Sequence, residues 1–298
     1  MFEVKVIADS LAPSGKRLTT ITATYPRFIH SEIMTHRDRA RNAASSRAIP
    51  FPAMTERIQL DPVIPLMWGM EQQGMQTGDN IPEYMRDLAE QIWRKAMADA
   101  IEHATALHNI GQTYAEHCGS LARPEDIDVK IHKSIPNRIV EPWMWITVVM
   151  SATEWANFFR LRCHSDAEIH FQKIAGMIRE ALEKSEPRKF SEGMWHLPFI
   201  QDDELPENTS LRREMPIEHY QKISVARCAR VSYLTHEGKR DHSKDLELFE
   251  RLVQGSGFGH WSAHEHVAEA VSDRYYRSGP FVGWKQFRKS FPLENAAG

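Results

Sequence analysis

Residues Thr35 to Arg47, THRDRARNAASSR, place four arginines, one histidine, one asparagine and two serines in thirteen positions. Side chains of this kind bind oxyanions. Arg37, Arg39, Arg41 and Arg47 offer forked donors that match phosphate, and Asn42, Ser45 and Ser46 add neutral donors. Ala40, Ala43, Ala44 and Ala48 leave room for a ligand against the backbone. A solvated basic loop is the commoner fate of a charge run, and a nucleic-acid patch is a second rival. The mixture of short polar and small residues favours a pocket for a small anion. Arg162 is the other candidate. It falls between one expected helix and the cap of the next, where a guanidinium either caps carbonyls or faces a pocket.

The elements that position these residues follow from periodicity. Residues 2–8 and 18–25 alternate apolar and polar around Pro13-Ser14-Gly15, which predicts a hairpin. Phe28, Ile29, Ile33 and Met34 mark a short helix, and 37–80 reads as polar loop punctuated by prolines. Asn80 and Glu83 form a variant capping box for a long helix reaching about residue 117. Residues 139–150 contain a turn and a buried strand, and 153–161 a helix. Ser165 and Glu168 make an S-x-x-E box for a helix over 166–184. Residues 185–215 read as surface wrapping. Helices follow at 218–230 and 243–254, and a strand at 266–272. In the tail, Phe281, Trp284 and Phe287 pack at helical spacing. The sum is an α+β chain with few strands and long helices, taken as a single domain over 1–298.

Three blocks resemble the flavin-dependent thymidylate synthases. Their long motif, R-H-R-x-x-S-x-N-E-x-S-x-R-Y, is matched in register at His36, Arg37, Asn42, Ser45 and Arg47, with departures at Thr35, Ala40, Ala43 and Ala48. The segment 138–168 matches the family at Arg138, Pro142, Asn157, Leu161 and Arg162. ARVSY (229–233) and GHWSAHEH (259–266) match at Ser232, His260, Ser262, Glu265 and His266, with Ala263 in place of proline. The last blocks precede the long motif in the family and follow it here, so the order is circularly permuted or otherwise rearranged.

The resemblance implies a homotetramer that binds FAD. NADPH and methylenetetrahydrofolate would serve as co-substrates and a pyrimidine deoxynucleoside monophosphate as acceptor, most simply dUMP going to dTMP. It assigns cofactor contacts to His36, Arg37, Asn42, Asn157, Ser232, His260, Ser262 and Glu265. Substrate contacts fall to Glu32, Ser45, Ser46, Arg47, Arg138 and Arg162. Arg162 would also be catalytic, because a cation that stabilises the pyrimidine ionised at N3 enriches C5 in electrons. Glu32 stands where the family carries glutamine. A carboxylate accepts and does not donate when ionised, so it suits the amine of cytosine better than the carbonyl of uracil. The alternatives are therefore a flavin-dependent dCMP or dUMP C5 methylase or hydroxymethylase, or a catalytically inactive nucleotide-binding relative.

Composition narrows the rest. The chain of 298 residues is 42% hydrophobic and 26% charged, as in soluble globular proteins. A net charge of -3 supplies no global basic field, which argues against nucleic acid as a partner even with the basic aromatic stretch 281–290. No apolar run suits a signal peptide or a membrane span. Three cysteines, Cys118, Cys163 and Cys228, without a C-x-x-C pair, fit a reducing cytoplasm. Cys163 beside His164 is the one tempting nucleophile, and the flavin family needs none. His260, His264, Glu265 and His266 do not share one helix or strand face, so no metal site is expected. GSGFG (255–259) lacks dinucleotide-loop spacing and reads as a turn.

Overall fold

The computed structural model describes residues 1–204, 216–231, 240–254 and 260–291. Strands β1 (Glu3–Leu11) and β2 (Arg17–Pro26) pair antiparallel, each longer than periodicity suggests. Gly15 turns between them at φ 79°, a conformation that costs glycine nothing. A 3-10 turn (Arg27–Ile29) leads into α1 (His30–Ile33).

The stretch 37–80 is not loop throughout. Strand β3 (Ala40–Ala43) and helix α2 (Phe51–Leu60) lie within it. Pro52 sits in the first turn of α2, where a missing N–H costs nothing, so a residue read as loop punctuation starts a helix. The long helix also differs at both ends. Helix α3 is Glu83–His108, preceded by Pro82 rather than a side-chain cap. Asn80 Oδ1 instead accepts from Trp68 N at 3.0 Å. The chain breaks at Asn109 before α4 (Ile110–Cys118).

Helix α5 (Pro136–Ile139) precedes β4 (Trp145–Ala152), and α6 (Ala156–Arg162) precedes α7 (Ile169–Lys184). The cap of α7 is Glu168 itself, accepting from Phe171 N at 2.8 Å, so the S-x-x-E box is not formed. Residues 185–204 do more than wrap the surface, because β5 (Arg188–Lys189) and β6 (Trp195–His196) each join a sheet. Helices α8 (Ile217–Arg230) and α9 (His242–Gln254) lie where expected, and the later strand is β7 (Ala268–Ala270). The tail is not one helix: it runs through β8 (Arg277–Ser278), β9 (Phe281–Val282) and β10 (Trp284–Gln286) into a 3-10 turn, Phe287–Ser290. Residues 255–259 lie outside the described residues.

The five-stranded sheet runs β3-β4-β2-β1-β5, and β10-β7-β6 forms a second sheet. Helix α7 covers one face of the larger sheet. Its Phe171, Ile174, Ala175, Ile178 and Leu182 repeat at three and four residues and pack on Ile21, Ala23 and Tyr25 of β2 and Ile146, Val148 and Met150 of β4. The second sheet and the β8-β9 hairpin cover the other face, joining Ala268, Ala270 and Trp284 of the former and Phe281 of the latter to Ala12, Leu18 and Ala40. With cover on both faces, β2 and β4 are buried nearly throughout. The architecture is α+β. Among the described residues, no helix is long and apolar enough to cross a membrane.

Candidate functional site

The chain leaves α1, turns at Thr35 and His36, and enters β3 against β4. This path brings the first block beside the end of α6. Arg162, the last residue of α6, donates from Nε to His36 Nε2 at 2.8 Å, across 126 positions of sequence. Its Nη2 lies 3.5 Å from Thr35 Oγ1, and its guanidinium rests 4.5 Å from the ring centre of Phe171. The carbonyl-capping alternative for Arg162 is thus replaced by a side-chain contact. Burial, with Arg39 and Arg162 nearby, lowers the His36 pKa to about 4. The imidazole is neutral near pH 7 and accepts the Arg162 bond with its bare nitrogen.

Glu32 stands on the same side. Burial and the neighbouring Glu168 raise its pKa, and Arg162 opposes them. Glu168 also takes the Nδ1–H of His170, while His170 Nε2 accepts from Leu66 N at 2.8 Å. The Leu66 bond fixes the tautomer, because its acceptor nitrogen cannot carry the proton.

The four arginines of the first block do different things. Arg37 and Arg47 are exposed. Arg41 is a clamp, donating to the carbonyls of Met34 and His36 at 2.9 Å each, which holds the 33–36 turn. Arg39 is 3% exposed, and its guanidinium stacks 4.3 Å from the ring centre of Phe158 and 4.9 Å from that of Trp155. Among the described residues, none of its three nitrogens has a hydrogen-bond partner, nor has the buried Nε1 of Trp155. Burial lowers the Arg39 pKa to about 10. The expectation of four forked donors facing an anion is therefore corrected: two are free to do so, one holds backbone and one is stacked under aromatic rings.

The first block also meets the last. Asn42 Nδ2 donates to the Cys228 carbonyl at 2.8 Å, and Asn42 Oδ1 accepts from Ser262 Oγ at 3.2 Å, 220 positions away. Ser262 and Glu265 belong to a 3-10 segment, Trp261–His266. Burial raises the Glu265 pKa, while the Arg288 guanidinium bonded to it opposes that rise. His260 is exposed. Its backbone N–H donates to the Leu252 carbonyl at 2.7 Å, which ties the end of α9 to the start of the 3-10 segment.

The remaining expected residues fall in two places. The turn 45–49 holds Ser45, Ser46 and Arg47. Asn137 Nδ2 donates to the carbonyls of Ser46 and Ile49, at 2.6 and 3.0 Å, and Ser46 Oγ donates to Glu141 Oε1 at 3.1 Å. Arg138, the residue after Asn137, is exposed. Asn157 is exposed in the first turn of α6, where its Oδ1 accepts from Arg160 at 3.2 Å, and no hydrogen bond joins it to His36 or Arg162. Ser232 lies outside the described residues. Burial raises the Cys163 pKa, so its thiol stays protonated and is a poor nucleophile. Among the described residues, no group of three or more His, Cys, Asp or Glu side chains is placed to hold a metal.

Solved structures similar to this chain include the following two. A UMP/dUMP methylase PolB from Streptomyces cacaoi, bound with 5-Br UMP, is 15% identical with a TM-score of 0.43, covering 62% of this chain and 89% of its own. The same methylase bound with 5-Br dUMP is 15% identical with a TM-score of 0.41, covering 62% and 90%. No protein-family model matches the sequence, and no curated protein does.

Sequence reasoning missed Glu168, His170, Asn137 and Glu141 as parts of the site. Its pattern assigns Glu168 only to a cap, whereas the carboxylate both caps α7 and binds His170. Asn137 is one residue from Arg138, and only tertiary structure shows that it holds the 45–49 turn.

Proposed function

We propose that the chain is a flavin-dependent enzyme that transfers a one-carbon unit to C5 of a pyrimidine deoxynucleoside monophosphate, dUMP in the first instance. The observation that carries this reading is the meeting of blocks far apart in sequence: Arg162 on His36, and Ser262 on Asn42. The motif resemblance selects these four residues independently of any contact between them.

FAD is the cofactor of this reading, with NADPH and methylenetetrahydrofolate as co-substrates. The residues present fit such a group. The exposed Arg37, the Asn42–Ser262 pair and the partnerless donors of Arg39 and Trp155 supply hydrogen-bond capacity for phosphate and ring atoms. His36, Arg37, Asn42, Asn157, Ser262, His260 and Glu265 would hold it, with Ser232. Reduced flavin supplies the electrons of the transfer.

The chain's own residues then bind and polarise the nucleotide. Ser45, Ser46 and Arg47, with Arg138 next in sequence to the Asn137 that holds their turn, would receive the phosphate. Arg162, oriented by His36 and Phe171, would stabilise the base ionised at N3. His36 is neutral near pH 7, so it holds Arg162 in place without repelling it.

Glu32 favours a second reading, a C5 methylase or hydroxymethylase acting on dCMP. Its half-buried carboxyl puts an acceptor beside Arg162, where a cytosine amine would donate. Assembly into a tetramer of this chain belongs to the proposal too. Tyr84, Leu88 and Ile92 form an apolar stripe on α3, 79%, 59% and 62% exposed, a face that association would cover.

Tritium release from C5, measured with labelled dUMP and with labelled dCMP, tests the reading. Release that needs FAD and a reductant supports it, and the preferred nucleotide decides between the two substrates. No release from either, in a protein that does not take up FAD, would overturn it.

A further inference from the structure

Five buried side chains from five segments form one hydrogen-bonded chain through the middle of the molecule. Ser10 Oγ on β1 is 2.8 Å from His196 Nδ1 on β6. His196 Nε2 is 2.7 Å from Thr20 Oγ1 on β2, which is 2.6 Å from Ser151 Oγ on β4. Ser151 Oγ is 2.8 Å from His266 Nδ1, at the end of the 3-10 segment that carries Ser262 and Glu265. All five residues are at most 3% exposed. Burial lowers both imidazole pKa values to about 3, so both rings are neutral near pH 7.

A brace that serves only packing ends in satisfied groups. This chain does not. At one end His266 Nε2 is buried without a partner among the described residues. At the other, Ser10 lines a cavity of about 560 Å³ walled by Phe190, Met194, Trp195, Leu197 and Ile200.

We propose that Ser10, His196, Thr20, Ser151 and His266 act as a proton relay that joins this cavity to the segment bearing Ser262 and Glu265. A neutral imidazole donates with one nitrogen and accepts with the other, and each hydroxyl donates once. The chain therefore has two polarities. In the first, both histidines carry the proton on Nδ1: His266 donates to Ser151, Ser151 to Thr20, Thr20 to His196 Nε2, and His196 Nδ1–H to Ser10. In the second, every bond is reversed and both histidines carry the proton on Nε2. Passage from the first to the second takes up one proton at the buried His266 Nε2, which a water must enter to supply. Each link shifts one proton along, and one proton leaves the Ser10 hydroxyl for water in the cavity. No electron moves, and each group ends neutral. The first polarity is the resting one, because it leaves His266 Nε2 as a bare acceptor rather than a buried, partnerless N–H. The relay does not depend on the proposed catalytic reading.

The experiment is two-bond 1H–15N NMR of the histidine rings in the full chain, since protonated and bare ring nitrogens have widely separated shifts. The wild type should show both His196 and His266 as Nδ1–H tautomers. Ser10→Ala removes the acceptor of the His196 Nδ1–H, so the first polarity loses its advantage and both rings should gain Nε2–H population in step. Ser10→Thr keeps the hydroxyl and the wild-type pattern. Adding Thr20→Val to Ser10→Ala cuts the chain and should return His266 to Nδ1–H. Unlike tautomers in the wild type would overturn the relay with no variant required. So would a His266 signal that Ser10→Ala leaves unchanged in a folded protein.

Discussion

Arg162 and His36 meet through Nε and Nε2 at 2.8 Å, the guanidinium donating to a neutral imidazole. The bond joins the end of α6 to the turn before β3, and it puts a fixed cation next to Glu32. If Arg162 polarises the nucleotide, Arg162→Ala should lower kcat/KM by at least ~100-fold, as for loss of one transition-state donor. Flavin should stay bound, which the absorbance spectrum near ~450 nm reads directly. Loss of flavin from that variant would show that Arg162 supports the cofactor or the fold instead.

Glu32 should set the choice of base. Glu32→Gln exchanges an acceptor for a side chain that also donates. The ratio of kcat/KM for dUMP over dCMP should rise by about 10-fold, the worth of one hydrogen bond to the base. An unchanged ratio in competition assays would remove Glu32 from the recognition of the base.

Stability should fall in mild acid. The pKa values of His30 and His36 are lowered to about 4, and those of His196 and His266 to about 3, burial being the first cause in each. In the unfolded chain these rings titrate near ~6.5. The unfolded state therefore binds more protons between about pH 6.5 and 3, and stability is full above that window and declines as pH falls through it. Thermal melts from about pH 7.5 to 4.5 should show a steady drop in Tm. A flat profile over that range would mean that the rings are not buried as described.

Arg39 should be dispensable for folding. Its guanidinium has aromatic faces but no hydrogen-bond partner among the described residues, and a buried charge left unpaired is costly. Arg39→Met should leave stability to urea unchanged or raise it by about 1–2 kcal/mol. If the side chain serves a ligand, flavin or nucleotide affinity should drop in the same variant. A strongly destabilised Arg39→Met would show that the stack on Phe158 and Trp155 holds the site together.

Much of the fold was legible because burial leaves periodic traces. The 171, 174, 178, 182 spacing of α7 and the alternation of β2 are of that kind. Strand β3 left no trace: Ala-Arg-Asn-Ala has no strand character, and the edge of β4 makes it a strand. The tail misled in the opposite direction. Phe281, Trp284 and Phe287 keep a helical interval, yet the chain bends at Gly283 (φ 73°) and buries Phe281 and Trp284 from strands and Phe287 from a 3-10 turn. Within the candidate site, residue types were legible and their division of labour was not. Arg37, Arg39 and Arg41 look alike in sequence, and only packing decides that one faces solvent, one lies under Trp155 and one holds carbonyls.

The cover of the first hairpin comes from the far end of the sequence. Trp284 Nε1 donates to the Lys16 carbonyl across 268 positions, and Phe281 and Trp284 close over Ala12 and Leu18. During synthesis β1 and β2 emerge early, and one of their apolar faces then waits for almost the whole remaining chain. Such non-local closure is slow, and the waiting face is an aggregation hazard. Translation that stalls before residue 281 would leave a nascent chain with a sticky, half-dressed sheet, a natural client for holding chaperones.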